Sequence, residues 1–245
     1  SQRIVQHLLY IRQGMDWGSS AFTSYAVRSI MTAAASWVTK ASPVTVTVDG
    51  HTVDTDANGM AGVVNTPVEG RELTVSRTKP STPAYGAVVS RFVAPLADLA
   101  PFSDGEVSVT KTIVRVRPDG SQEVLGQNAA VTPGERLTVI LKVTANRPLS
   151  NLVVTDNRPA AFEPAVQVPR MVWNHAGSPF YLENRDAATN IYIGYMPAGA
   201  AEYSYEVTVN NTGSFTTGLA TVTSAIAPEI TAHSGSAPLS LQNSK

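Results

Sequence analysis

The residue types that carry most enzyme chemistry are sparse in this chain and do not stand at catalytic spacings. The 245 residues contain no Cys, which excludes a thiol nucleophile and a thiolate metal site within the chain. No Gly-x-Ser-x-Gly sequence is present, and no Ser has a motif-placed His and Asp to activate it. Most aspartates, Asp156 among them, fall at predicted turns, and a pair of acid and base carboxylates has no positive support. We predict no catalytic residues and no enzyme.

Two patterns bear on metal binding, and neither is complete. Residues 54–59, DTDANG, match the first half of an EF-hand calcium loop, but its twelfth position is Asn65 instead of a bidentate Glu. Asp and Asn also favour tight turns, because they bond their own backbone, so we predict a turn there. None of the four histidines stands at a metal-ligand spacing from another: His7, His51, His175 and His233. We predict no metal and no cofactor.

The aromatic residues are concentrated in the last third of the chain: Trp173, Phe180, Tyr181, Tyr192, Tyr195, Tyr203 and Tyr205. Packing in a core and on sheet faces explains most of them. A few can form a face on which a neighbouring domain docks. We predict such interdomain packing for Trp17, Trp173, Tyr192 and Tyr195.

Charge and hydropathy exclude several classes of partner. The net charge is −1 and only 15% of the residues are charged, so nothing draws the chain toward nucleic acid or an anionic membrane. No apolar run approaches the ~20 residues of a membrane span, and the N-terminus has no signal-peptide form. The absence of Cys suits an exported protein as well as a cytosolic one, so the compartment stays open on this evidence.

The first part of the chain has helical periodicity. Apolar residues recur every three or four positions in residues 3–12 and again in 22–37, which predicts a helical hairpin. Ser19 or Ser20 is the expected N-cap of the second helix, since a serine hydroxyl accepts from a free amide of the first turn. Two helices alone bury little, so they should pack on other elements.

From Pro43 onward the pattern is that of β-strands. Residues 44–48, VTVTV, meet Asp49-Gly50, a strong hairpin signal. Further on, residues 137–143 and 203–209 alternate apolar and polar side chains, as half-buried strands do. The fold class we predict is mainly β: a C-terminal antiparallel β-sandwich preceded by a smaller β unit and the helical hairpin.

Three segments follow from these patterns. The helical hairpin occupies residues 1–40, the small β unit 43–94 and the sandwich 104–245, with a Pro- and Ala-rich linker at 94–105. The small unit has few strands for a closed sandwich, and the chain starts abruptly in an amphipathic pattern. We therefore expect a piece of a longer protein, with the missing strands and helices before residue 1.

Several segments of the sandwich carry a family resemblance. They are VTKTIVRVRPDGS (109–121), VTPGERLTVILKVTANRPLSNLVVTDNRPAAFEP (131–164) and MPAGAAEYSYEVTVNNTGSFTTGLATVTSAIAPEITAHS (196–234). Bacterial α2-macroglobulins show a similar V-T-D-x-x-P-A-x-F-E segment, followed by P-A-G, a tyrosine-rich strand, a G-x-F turn and a P-E-x-x-A-x-S end. The second β unit therefore resembles, over nearly its whole length, the C-terminal macroglobulin-like, Ig-like β-sandwich of that family.

The upstream residues are similar to the same family. Its α/α-toroid domain, which resembles terpenoid cyclases, ends in a W-x-x-x-x-x-T-x-x-A pattern that Trp17, Thr23 and Ala26 match. The resemblance implies that residues 1–40 are the end of this toroid domain. It also implies that residues 43–94 are a CUB-like segment.

The resemblance implies protease inhibition by trapping, in which a protease cuts a bait segment and the large molecule rearranges around it. This chain has neither the bait segment nor the Cys–Gln thioester of many members, so it would be a structural and interaction module of the inhibitor. The implied partners are the upstream domains of the same chain and, through the full-length parent, a target protease. The implied location is the periplasm or cell envelope of a bacterium, with a lipid anchor before residue 1.

A second hypothesis belongs to a different class. VTPGERLT (131–138) followed by NLVVTDNRP (151–159) also resembles the Ig-like repeats of bacterial surface proteins and adhesins, which are binding modules. Those repeats normally occur in tandem without a preceding helical hairpin, so the macroglobulin interpretation is favoured. An enzyme built on the toroid rim would need an acid–base cluster on the helices, where only His7, Asp16 and scattered basic groups are available.

Overall fold

The computed structural model describes residues 2–12, 17–34, 44–54, 72–77 and 93–243. The sequence patterns MAGVV (60–64) and YGAVVSRFV (85–93) also predict strands, but the first and nearly all of the second lie outside the described residues, as does most of the EF-hand-like segment.

The chain divides into two compact units, one of residues 1–6 and 27–93 and the other of residues 7–26 and 94–245. The segment boundaries expected from the sequence stay predictions.

Two α-helices open the chain, α1 (Gln2–Tyr10) and α2 (Ser20–Ala34), as the periodicity predicted. The Ser19 hydroxyl accepts from a backbone N–H in the first turn of α2 at 3.2 Å, which confirms the serine cap. Between the helices, the indole N–H of Trp17 donates to the carbonyl of Leu8 at 2.7 Å. Among the described residues, no helix has the length and apolar content that crossing a bilayer requires.

The smaller unit contains an antiparallel sheet in the order β2-β1-β3. Its strands are β1 (Val44–Val48), β2 (His51–Val53) and β3 (Leu73–Arg77). Asp49 and Gly50 both have positive φ, 51° and 79°, which matches the right-handed twist of a two-residue hairpin and confirms the predicted turn. The Asp49 carboxylate also accepts from the backbone N–H of Glu72 at 3.0 Å and so links the turn to the residue preceding β3.

In the described residues of the larger unit the regular structure is mainly β-strand, with the helical residues and a short 3-10 turn beside it. In chain order its strands are β4 (Phe102–Ser103), β5 (Val107–Val116), β6 (Gln122–Val124), β7 (Asn128–Val131), β8 (Arg136–Ala145), β9 (Leu149–Asn157), β10 (Phe162–Pro164), β11 (Arg170–Trp173), β12 (Pro179–Asn184), β13 (Ala188–Met196), β14 (Gly199–Val209), β15 (Gly213–Thr216), β16 (Ala220–Ser224), β17 (Thr231–His233) and β18 (Pro238–Asn243).

These strands form three sheets. A five-stranded sheet has the order β10-β14-β8-β5-β6, and a seven-stranded sheet has the order β11-β12-β13-β9-β16-β17-β4. A small third sheet, β15-β18-β7, contains one parallel pair, β18 with β7, while the pairs within the two large sheets are antiparallel. The predicted antiparallel sandwich is therefore confirmed.

The core lies between the inner faces of the two large sheets. Alternate residues of β8 and β14 are buried, and Leu141 stands opposite Tyr203, as the alternation in the sequence predicted. The ring of Tyr203 meets the ring of Phe180, which comes from the other sheet, edge to face at 5.2 Å between centroids. Edge-to-face contact is a favourable geometry for an aromatic pair, because the positive edge of one ring meets the negative face of the other.

A shift in the phase of the alternating apolar residues near 111–113 predicts either a β-bulge or a strand buried on both faces. The pairing of β5 with β8 runs unbroken from Val107 to Val114, so no bulge interrupts it there, and the adjacent residues Ile113 and Val114 are both buried. The predicted linker at 94–105 is not wholly irregular, because it contributes β4 to the edge of the seven-stranded sheet.

Candidate functional site

An exposed apolar surface lies at one end of the seven-stranded sheet, on its outer face. In the pairing of the strands Met171 stands opposite Tyr181, and Tyr181 opposite Tyr192, so these three side chains share the outer face with Trp173. Trp173 is 64% exposed and Tyr192 is 38% exposed. We call Met171, Trp173, Tyr181 and Tyr192 the aromatic face. Its position on β11 to β13 brings together residues that are 21 positions apart in the chain (192 − 171).

A polar group beside the aromatic face holds one of its rings in place. The Tyr192 hydroxyl donates to Glu183 at 2.9 Å, and Arg185 bonds the other oxygen of the same carboxylate at 2.6 Å. The hydrogen bond from Tyr192 is the largest effect that lowers the pKa of Glu183, and the bond raises the pKa of Tyr192 in turn. The phenol therefore donates to an ionised acceptor, which makes the hydrogen bond stronger than a neutral one.

The four residues predicted to pack against another domain fall in three places. Trp173 and Tyr192 lie on the aromatic face, and Tyr195 is 61% exposed further along β13. Trp17 is half-buried in the link between the helices, where its indole already has a partner. Exposure of a side chain does not identify what covers it, so interdomain packing stays a prediction for all four residues.

The sequence interpretation of Asp156 as a turn residue is wrong. Asp156 lies inside β9, and its side chain is fully buried. The signal was present, because Leu152, Val154 and Asp156 follow each other at the period of two that places residues on one face of a strand. A carboxylate on the inner face of a core strand requires partners, since an isolated buried charge costs far more than a paired one.

Asp156 meets a cation and a phenol that come from the opposite sheet. The Lys111 ammonium on β5 lies 2.6 Å from Oδ1, and the Tyr205 hydroxyl on β14 donates to Oδ2 at 2.5 Å. Lys111 also donates to the backbone carbonyl of Asn157 at 3.2 Å. The inter-sheet cluster, which we define as Lys111, Asp156 and Tyr205, thus bonds both oxygens of the carboxylate across the core.

Arg158 lies close to this cluster, and its two terminal nitrogens bond other groups. Its guanidinium donates to the Thr189 hydroxyl at 2.7 Å and to the carbonyls of Arg185 and Asp186, the latter at 2.7 Å. Nε of Arg158 is buried without a hydrogen-bond partner. The positive charge is therefore held near Asp156 without bonding it.

Burial controls the proton affinities in the inter-sheet cluster. It raises the pKa of Asp156 and lowers the pKa of Lys111, although each group partly offsets the shift of the other. Burial, with the charge of Asp156 second, raises the pKa of Tyr205 well above its ordinary value. The Tyr205 hydroxyl therefore stays protonated and remains a hydrogen-bond donor.

The described residues contain no group of three or more His, Asp or Glu side chains placed to hold a metal ion. Within the same part of the chain, the ring of His233 stacks on Phe102 at 5.7 Å between centroids, which is a packing contact.

The chain aligns with parts of several large solved structures. The chain aligns with native Escherichia coli alpha-2-macroglobulin spanning domain MG7 to the C-terminus, at 14% identity and a TM-score of 0.47, over 60% of this chain and 25% of that one. It aligns with E. coli alpha-2-macroglobulin activated by porcine elastase at 14% identity and a TM-score of 0.49, over 91% and 20%. With Salmonella alpha-2-macroglobulin reacted with methylamine the identity is 16% and the TM-score 0.46, and the alignment covers 91% of this chain and 15% of that one. The chain thus spans a quarter or less of the length of these structures.

No curated protein sequence matches the chain significantly. A family model does match, and its description is the MG10 domain of bacterial alpha-2-macroglobulin. The match covers residues 107–229, which run from the first residue of β5 to the loop before β17 and include the whole five-stranded sheet and five strands of the seven-stranded sheet. This stretch is half of the 245 residues. The chain belongs to the bacterial alpha-2-macroglobulin family.

Proposed function

We propose that this chain is the C-terminal structural and interaction module of a bacterial alpha-2-macroglobulin-like protease inhibitor. The full-length parent traps the protease, and this segment does not inhibit one alone. The observation that carries the proposal is the match of residues 107–229 to the MG10 domain.

The surfaces of the described residues support a role in contacts. Trp173 and Tyr195 are more than half exposed on the sandwich, and Phe22 and Tyr25 are about 70% exposed on α2. The aromatic face brings several exposed apolar side chains together, and such a patch is typical of a surface that another domain or protein covers. In this proposal the upstream domains of the same parent chain cover the aromatic face.

The partners and the location follow from the family resemblance. The parent meets a target protease, while this segment contacts the upstream domains, binds no nucleic acid and contributes no membrane span. The parent resides in the periplasm or cell envelope of a bacterium and is held there by a lipid anchor at its own N-terminus. Fractionation of the producing cells tests the location, with the proposal expecting the parent in the envelope fraction and not in the cytosol.

Protease assays on two proteins test the function. The full-length parent and the 245-residue chain are each incubated with trypsin, and the cleavage of a large protein substrate is compared with that of a small peptide. Because an enclosed protease stays accessible to small molecules, we expect the parent to block only the large substrate and the chain alone to block neither. Inhibition by the chain alone contradicts the proposal. So does a parent that fails against a panel of proteases with different specificities.

A further inference from the structure

Lys111 and Asp156 are held together in the dry interior of the sandwich. Lys111 is on β5 of the five-stranded sheet and Asp156 is on β9 of the seven-stranded sheet, so the pair connects the two layers. Their side chains are 3% and 0% exposed, and Nζ lies 2.6 Å from Oδ1. A side-chain amine and a side-chain carboxyl are thus fixed in contact at a place from which bulk water is excluded.

The backbone of Gly218 passes close to the pair. Gly218 has a φ of 75°, and a Cβ at this position would lie 1.8 Å from the carbonyl oxygen of Asn157 and 3.3 Å from Nζ of Lys111. The Asn157 carbonyl accepts from the same Nζ. Gly218 therefore allows the chain to pass directly over the amine and its second acceptor, which fixes where the nitrogen lies.

The buried pair has two protonation states that differ by one proton transfer. Desolvation penalises both the ammonium and the carboxylate, which lowers the pKa of Lys111 and raises that of Asp156. Moving one proton from Nζ to the carboxyl group gives a neutral amine and a neutral carboxylic acid. A desolvated lysine amine is a good nucleophile, and a carboxylic acid that accepts a further hydrogen bond is the better electrophile.

We propose that Lys111 and Asp156 condense to an intramolecular isopeptide bond that links the two sheets of the sandwich covalently. The lone pair of Nζ attacks Cγ of Asp156 and forms the C–N bond. One C–O bond of the carboxyl group then breaks, and its electron pair leaves with the oxygen. Two protons that began on the ammonium leave with this oxygen as water, and the third stays on the amide nitrogen. The reaction is neutral overall and requires no oxidant, reductant or co-reactant.

Tyr205 is the residue that assists this condensation. Its hydroxyl donates to Oδ2 at 2.5 Å, so it stabilises the negative charge that develops on this oxygen as the nitrogen attacks. Arg158 adds positive charge nearby while its own donors bond Thr189 and backbone carbonyls. The charged and titratable groups around the carboxyl are therefore Lys111, Tyr205 and Arg158, and the last keeps its charge throughout.

The mass of the folded 245-residue chain tests the proposal directly. Loss of one water lowers the intact mass by about 18 Da, and mass spectrometry resolves this difference. We expect the deficit in the wild-type chain after incubation at 37 °C, together with a branched tryptic peptide that contains both Lys111 and Asp156. If the chain is folded by circular dichroism and its intact mass equals the mass calculated from the sequence, with no water lost, the proposal is overturned.

Two variants separate this bond from other dehydrations. Lys111→Arg keeps a cation beside Asp156 but cannot form the amide, so this variant should retain the full mass. A mass deficit that persists in Lys111→Arg overturns the proposal, because the lost water then comes from another site. Tyr205→Phe removes the donor to Oδ2 and should slow the appearance of the deficit on the order of 100-fold, as removal of a single oxyanion donor does. An unchanged rate in Tyr205→Phe overturns the role given to Tyr205.

Discussion

Phe180 and Trp173 are two aromatic residues on neighbouring strands of one sheet, and the structure places them on opposite faces. Phe180 is 2% exposed in the core against Tyr203, whereas Trp173 is 64% exposed on the aromatic face. Replacing Phe180 with Ala removes its transfer free energy and leaves a cavity, so the free energy of unfolding should fall by about 3–5 kcal/mol. Trp173→Ala is the matched control and should change it by less than about 0.5 kcal/mol.

Thermal and urea denaturation followed by circular dichroism measure both effects. For a domain of this size about 1 kcal/mol corresponds to roughly 2–4 °C, so Phe180→Ala should lower Tm by about 6–20 °C. A double-mutant cycle of Phe180→Leu with Tyr203→Leu should give a coupling of about 0.5–1.5 kcal/mol, the contribution of the edge-to-face pair beyond simple burial. A Trp173→Ala loss as large as that of Phe180→Ala would refute the assignment of the two faces, and a coupling of zero would refute the edge-to-face contact of Phe180 with Tyr203.

Two further predictions concern close contacts on the same unit. Gly218→Ala should lower the free energy of unfolding by more than about 2 kcal/mol, since a Cβ there meets the Asn157 carbonyl. Gly134→Ala is the control: its φ is also positive but the space around it is open, so the substitution should cost about 1 kcal/mol. Equal costs for the two substitutions would count against the packing around Gly218. Because the Tyr192 hydroxyl lowers the pKa of Glu183, this bond adds stability that is present above the carboxyl's ordinary pKa and is lost as pH falls through the lowered value. Tyr192→Phe should therefore raise the Glu183 pKa in an NMR titration, and an unshifted titration would show that the bond does not hold in solution.

Strands with long alternation were predictable from the sequence. β8 and β14 each bury a run of apolar residues at alternate positions, and both were placed correctly because a period of two is specific to strands. Short strands were harder. β12 and β17 were not predicted, since the alternation is broken in the first by polar residues after Leu182 and the second has only three residues. Pairing across the sheet, which the sequence does not display, stabilises such strands.

The two candidate sites differ in how much of each could be predicted from the sequence. The residue types of the aromatic face were visible, and Trp173 and Tyr192 were chosen, but the choice of Tyr181 and Met171 as their neighbours depends on strand register. The inter-sheet cluster was missed, because Lys111, Asp156 and Tyr205 come from three distant strands and only tertiary packing brings them together. Sequence patterns indicate which face a residue occupies, and not what it meets there.

The central claim is that this chain serves a larger alpha-2-macroglobulin-like parent through contacts. The most direct measurement is isothermal titration calorimetry between the 245-residue chain and a version of the parent that lacks it. We expect saturable one-to-one binding. Truncating a buried aromatic anchor typically costs about 2 kcal/mol of binding free energy, so Trp173→Ser should weaken binding at least tenfold. Val124→Ser, at an exposed position on β6 of the other sheet, should leave binding unchanged. Absence of binding, or equal weakening by both variants, would contradict the account.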